Sequence, residues 1–364
     1  MYFMNERVNY RMITLARVAR GYTQTDVAKA IPKLSQGNLC KIEKDALGVT
    51  DDMMAKIADF LDFPISFFYQ QYIFPPFSQI YYRKLESVTS GNKKMAELRA
   101  NFNIIMTCID NMLDELAVPS FSVPQYDLEE GITIKEVAKR TRLKMGVSDG
   151  SIDDLAHFVE KSGVIIIEID TDFEKFDAMT GQTQNGVVVV FLNGNMPKDR
   201  QRFTLAHELG HIIMHIPFID TDPNRDVEKE ANRFASEFLM PSLEFKNDAL
   251  YLNYHKLDVL KSYWKVSKQA IIYKARQDKL IDENRYKSLM VQLSMNGERK
   301  VERTPIQSPP PKLLKKMVDA FYNEMDFTKD DVIDVIKIKL DTFPLMIFKR
   351  DRMFKLNKPR ISLG

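Results

Sequence analysis

Between residues 10 and 62, apolar positions recur every three or four residues in short bursts. That spacing predicts helices over 11–19, 23–30, 35–43 and 51–61, because positions three and four apart share one helix face. Thr23 stands at the start of the second helix with Asp26 three residues on, and Ser35 stands at the start of the third. Both are side chains that satisfy the orphan amides of a first helical turn. The periodicity then stops. Residues 69–84 (YQQYIFPPFSQIYYRK) are aromatic, and the adjacent Pro75 and Pro76 forbid a regular helix, so the stretch reads as a connector. One long helix is predicted over 93–117, ended by Pro119 and Pro124, and two more within 133–162, split around Gly146 and Gly150. Two β-branched runs, 163–170 (GVIIIEID) and 186–193 (GVVVVFLN), predict strands, the second a buried one. Helical patterns resume over 198–216, 226–239, 254–261 and 267–279. The tract IQSPPP at 306–311 marks a boundary, and the tail beyond it reads as helical at first and then basic. No internal repeat is visible.

Composition narrows the possibilities. A chain of 364 residues carries two to three domains by ordinary domain size. With a formal net charge of only +2, the protein is neither uniformly basic nor uniformly acidic, so any nucleic-acid surface has to be local. Glycine is scarce, at 14 residues, and together with the long Ala, Leu, Lys and Glu-rich stretches this points to a mainly α protein with a small β-sheet. Cys40 and Cys108 are the only cysteines, which excludes a disulfide scaffold and a cysteine-only zinc site. The first residues hold no apolar stretch with a small-residue cleavage site, and no run of about 18 apolar residues exists. The expected location is the cytoplasm, with no membrane partner.

Residues 207–211 read His-Glu-Leu-Gly-His. On a helix the two imidazoles, four residues apart, lie on one face about 6 Å from each other and can bind one metal ion. Glu208, next to the first of them, can polarise a water on that metal. Zinc suits imidazole and carboxylate ligands. Ile212, Ile213 and Met214 supply a buried side, and Gly210 permits close packing beneath the site. A third ligand is available downstream. Glu228 and Asn232 share a helix face, so Glu228 can reach the metal while Asn232 braces an imidazole. Glu230 competes for the ligand position but points about 200° away from Glu228, so both cannot serve. His215, about 12 Å along the axis from His207, is too far to close a tetrahedron and reads as a packing or substrate-facing residue. His157 and His255 lack partner spacing and read as structural. The plainer alternative is an ordinary helix with two hydrogen-bonded histidines.

The N-terminal helices carry a second pattern. Short helices joined by a tight turn are the helix-turn-helix plan, with the third helix as the reader of base edges. Its outer face holds Gln36, Asn38 and Lys41, which can pair with adenine, guanine or phosphate, and Gln24 sits where the preceding helix start would meet a phosphate. Residues 7–44 hold eight cations against two acids, and residues 51–62 add four acids, so the positive field is confined to one side. A four-helix protein-interaction module with a solvated basic face is the alternative. Gly37 within the third helix would suit close approach to another backbone. The tail at 349–360 carries six cations and one acid, either a solvated extension or an added phosphate contact.

Taken together, TQTDVAKAI, SQGNLCKIEK and IADFLDFPISFF resemble Xre/Cro-type helix-turn-helix domains, and RFTLAHELGHIIMH followed by EKEANRFASEFLMP resembles the ImmA/IrrE family of metallo-endopeptidases. The resemblance extends to the YYRK connector, the WKVSKQAIIYKARQDKLI segment and the PP-containing tail. The turn at 31–34 (Ile-Pro-Lys-Leu) is one residue longer than the common glycine-containing form, and Lys44-Asp45-Ala46 stands where that form has another glycine. The resemblance implies a gluzincin-like site with one Zn2+ per chain, His207, His211 and Glu228 as ligands and Glu208 as general base. It also implies an intracellular regulator that binds DNA through its N-terminal domain and cleaves a protein such as a transcriptional repressor, with a homodimer expected because such domains read half-sites in pairs. The corresponding plan is a helix-turn-helix domain at 1–72, a connector and linker helix at 73–125, a zinc peptidase domain at 126–303 and a C-terminal extension at 304–364. The rival reading is a DNA-binding regulator, or an antitoxin-like scaffold, whose metal site is sensory or structural rather than proteolytic.

Overall fold

A computed structural model describes residues 7–72, 93–171, 173, 176–218, 225–299 and 301–339. The YYRK connector and the basic tail at 349–360 lie outside the described residues. Four short helices come first: α1 (Tyr10–Ala19), α2 (Gln24–Ala30), α3 (Gln36–Glu43) and α4 (Asp51–Leu61). Thr23 and Asp26 form the reciprocal cap expected of them, and Ser35 and Thr50 cap α3 and α4. In the turn between α2 and α3, Lys33 takes the left-handed conformation, with φ of 67°, a position where glycine is the usual occupant. Gly37 is exposed, with open space around it.

The long helix α5 (Lys93–Leu113) stops four residues short of the predicted end, and helices α6 (Ile134–Met145) and α7 (Leu155–Lys161) follow it. Gly146, at φ of 69°, closes α6 in the left-handed cap that splits the pair. Three strands come next: β1 (Val164–Ile169), β2 (Ala178–Gln182) and β3 (Val188–Asn193). Their order in the sheet is β1-β3-β2, with β1 parallel and β2 antiparallel to the central β3. Strand β2 was not predicted. Its sequence, Ala-Met-Thr-Gly-Gln, has a single β-branched residue, and pairing with β3 makes it a strand.

The remaining helices are α8 (Lys198–Met214), α9 (Val227–Leu239), α10 (Ser242–Asp248), α11 (Lys256–Trp264), α12 (Lys268–Gln277), α13 (Glu283–Met295), α14 (Leu313–Asn323) and α15 (Lys329–Ile336). Helices α10 and α13 were also not predicted. Only Leu289 and Leu293 of α13 are buried, too thin a stripe to show in the sequence. The architecture is therefore mainly helical with one small mixed sheet.

The sheet separates two apolar cores. Because side chains alternate across a strand, Ile165, Ile167, Met179, Val189 and Phe191 face one way, and Val164, Ile166, Val188 and Val190 face the other. The first set packs against α5, where Phe102 stacks on Phe191 with ring centroids 4.1 Å apart. That core continues without a break into the four N-terminal helices and into Leu314, Met317 and Phe321 of α14 and Val332 and Ile336 of α15. The Cys108 thiol donates to the Ile336 carbonyl across the same contact, at 3.3 Å. The second set packs against α8 and α9. Among the described residues, no helix is long and apolar enough to cross a membrane.

Candidate metal centre

Helix α8 begins after Pro197, and every residue from Leu205 to Met214 is buried. The sheet and α9 both pack against it. Gly210 makes the closest of these contacts possible. A Cβ built there would sit 3.0 Å from Cδ1 of Phe234 and 3.3 Å from its Cβ. With glycine in place, α9 lies tight against α8, and the first turn of α9 comes beside the two histidines.

The result is a convergent set. Nε2 of His207 and Nε2 of His211 are 3.0 Å apart, and Glu228 straddles them, with Oε2 3.6 Å from the first and Oε1 3.6 Å from the second. The ligand atoms of the three residues all lie within 4.8 Å of one another. A tetrahedral zinc with bonds of about 2.1 Å spaces its ligand atoms about 3.4 Å apart. The observed separations bracket that value, so the donor set fits the ion in number, type and spacing.

The outer nitrogens are engaged as well. Nδ1 of His207 donates to Oδ1 of Asn232 at 3.0 Å, which leaves Nε2 with the lone pair a metal needs. Asn232 is four residues beyond Glu228 on α9, so one helix face supplies both partners. The structure also settles the geometry of the two rival residues. Glu230 points away from the cluster and accepts from His215, with 3.0 Å between its Oε2 and the His215 Nε2. His215 caps the end of α8, is buried, and lies 2.9 Å from His211 through the two Nδ1 atoms. Burial holds the His215 imidazole below its ordinary value, against the opposing pull of Glu230. Burial would raise Glu230, but Arg225 and His215 outweigh it and hold the carboxyl below the usual carboxylate range. His157 and His255 are exposed and lie outside the cluster.

Glu208 is fully buried, and its Oε2 accepts a hydrogen bond from the Thr180 hydroxyl at 2.5 Å. Thr180 belongs to β2 and pairs with Val190, so it lies on the sheet face that α8 covers. Sequence reasoning missed Thr180 together with its strand. A usable signal was present in Asn185-Gly186, a strong hairpin turn pair, at the start of the predicted strand. Gly186 does take a positive φ, 80°, and its amide donates to the Thr183 carbonyl at 3.0 Å.

The residues expected to face DNA sit apart from this centre. Gln36, Asn38 and Lys41 are exposed on α3. Gln24 is tied internally: its amide nitrogen donates to Glu43 and its oxygen accepts from Gln36, both at 2.8 Å. Glu43 also accepts two bonds from the Arg17 guanidinium, at 2.6 and 2.9 Å, so Arg17 belongs to the interior and not to the basic face.

A search of curated proteins finds no match to the chain. Residues 159–276, which include His207, Glu208, His211, Thr180, Glu228 and Asn232, match the family model Peptidase_M78, the IrrE N-terminal-like domain, and this supports the ImmA/IrrE resemblance over that span.

Proposed function

We propose that the chain is a zinc-dependent endopeptidase joined to a DNA-binding helix-turn-helix module, and that it acts as an intracellular regulator by cleaving a protein such as a transcriptional repressor. The observation that carries the reading is the convergence of His207, His211 and Glu228 from two helices, with Glu208 beside them. These three residues would hold the ion. Bound there, zinc supplies Lewis acidity that polarises a peptide carbonyl and makes water easier to deprotonate. Glu208 takes the proton from the attacking water and returns it to the departing amine. The Thr180 hydroxyl holds the Glu208 oxygen Oε2, which keeps the carboxylate aimed while its proton state changes. Asn232 orients the His207 ring. On the N-terminal module, the exposed Gln36, Asn38 and Lys41 are the residues proposed to read bases, with Gln24 near a phosphate. Two chains reading two half-sites is the proposed form on DNA.

The test compares cells producing the wild type with cells producing Glu208→Gln, by mapping new protein N-termini across the proteome. A defined set of new termini in the wild type alone is expected, with equal zinc content in both proteins. Identical termini in both, alongside an operator-binding shift in both, would support the non-proteolytic regulator instead.

A further inference from the structure

The mechanism uses one nitrogen of each ligand histidine. The second nitrogen of His211 faces away from the metal position and starts a chain that runs from the buried His215 to the half-buried Glu230 and Arg225. His211 Nδ1 lies 2.9 Å from His215 Nδ1, and His215 Nε2 lies 3.0 Å from Oε2 of Glu230. Arg225 then donates to both Glu230 oxygens, at 2.7 Å from Nη2 and 3.2 Å from Nε. Both imidazoles are buried, at 3% and 1% exposure, so water does not substitute for these partners.

We propose that Glu230, acting through His215, fixes the tautomer of His211 and so makes Nε2 its ligand atom; His215, Glu230 and Arg225 are positioning residues of the metal centre. The proposal rests on the reading of His207, His211 and Glu228 as ligands.

At 2.9 Å, His211 Nδ1 and His215 Nδ1 hold one hydrogen between them; the Nε2 atoms of His207 and His211, 3.0 Å apart, compete for it, and the Glu230 carboxylate decides the outcome. A Glu230 carboxylate only accepts, so the His215 proton sits on Nε2, facing it. His215 Nδ1 then carries a lone pair and accepts from His211 Nδ1–H. His211 Nε2 is left with the lone pair, pointing at His207 and Glu228. In the opposite arrangement every proton shifts by one place. His215 Nε2 would set its lone pair against the carboxylate, and His211 would direct an N–H at the metal position. Arg225 strengthens the bias because its guanidinium donates to both Glu230 oxygens, so this side chain offers His215 only lone pairs. His207 reaches the same tautomer directly through the Asn232 carbonyl. The two ligands of the His-Glu-Leu-Gly-His motif are thus set by two residues of one helix, Asn232 and Glu230.

Glu230→Gln is the informative change. Its amide can donate to His215 Nε2 and so permits the reversed chain at nearly constant volume. Affinity for Zn2+ is measured by competition with a chromophoric chelator, and an effect of about 10–100-fold weaker binding is expected. His215→Phe should weaken binding by a similar factor, and Lys229→Gln, on the exposed side of the same helix, should leave it unchanged. The second readout needs no metal. Two-bond 1H–15N correlation spectra of the apoprotein should show His211 as the Nδ1–H tautomer in the wild type and a mixture in Glu230→Gln. Retained affinity in Glu230→Gln with an unchanged His211 tautomer would overturn the proposal, as would an Nε2–H His211 in the wild type. Failure of the wild type to bind Zn2+ at all would instead defeat the metal-centre reading. The tautomer spectra would still decide whether Glu230 controls His211.

Discussion

Thr180 and Gly210 show how single residues set the centre. Thr180 offers one hydroxyl to a fully buried carboxylate. Thr180→Val removes that bond at nearly constant shape and should leave zinc content intact while lowering the turnover of whatever substrate the terminus mapping identifies by about ten-fold or more. Thr180→Ser should restore most of it. Equal turnover in the valine variant would show that Glu208 is aimed by other groups. Gly210→Ala adds a methyl group 3.0 Å from a fully buried phenyl ring. The alanine gains about 1 kcal/mol of helix propensity, but overpacking against Phe234 costs about 1–3 kcal/mol. Net loss of stability is expected in urea titrations, with weaker zinc binding as α9 is pushed outward. A variant as stable as the wild type would mean that Phe234 yields.

At the scale of elements, the hairpin β2–β3 depends on the linker helix α5. Asp110 of α5 is buried and accepts from the amides of Gln184 and Asn185 at the hairpin tip and from the Tyr72 hydroxyl. One carboxylate therefore fastens the end of the N-terminal module and the strand that carries Thr180 to the same helix. Asp110→Asn replaces a four-site acceptor with a group that also donates, and should cost about 1–3 kcal/mol. Amide exchange at Gln184 and Asn185 should accelerate; unchanged exchange would remove Asp110 from that role. Much at this scale was legible. The two apolar runs became β1 and β3, and the helices bearing the metal motif and Glu228 fell within two residues of their predicted ends at either side. Glu228 and Asn232 could be paired from spacing alone, since four residues make one helix face. The direction of Glu230 away from the cluster was legible too. Its engagement by His215 was not, because that depends on how α8 ends against α9. Strand β2 stayed hidden because its identity comes from its neighbour, not from its own residues.

For the molecule as a whole, the sequence understates how much charge is buried. Lysines are ordinarily exposed, yet Lys261, Lys268 and Lys274 are each at most 2% exposed. Lys261 pairs with Asp199 and Glu302, Lys268 with Asp258 and Glu298, and Lys274 with Glu237 and Asp278. Through Glu298 and Glu302 they tie the segment after α13 back onto α11 and α12. Burial alone would raise Glu298, but Lys268, Tyr254 and the Arg303 amide hold it down to about 2. Its folded value lies below the ordinary 4.5, so the stabilisation is complete above that pH and fades as pH falls towards 2. The effect is on the order of 3 kcal/mol at most. The stability gap between wild type and Glu298→Gln should narrow over that window in urea titrations; a gap that stays constant would contradict it. Equally hidden was the return of α14 and α15 to the N-terminal core, a contact across more than 200 residues that no local pattern encodes.

On the proposed function, two imidazoles of α8 and one carboxylate of α9 hold a single zinc ion. Elemental analysis after zinc loading and exhaustive dialysis tests it most directly, on the wild type beside His207→Ala and Glu228→Ala. One zinc per chain is expected in the wild type and none in either variant. A metal-free wild type, or a Glu228→Ala protein that keeps its zinc, would contradict the account.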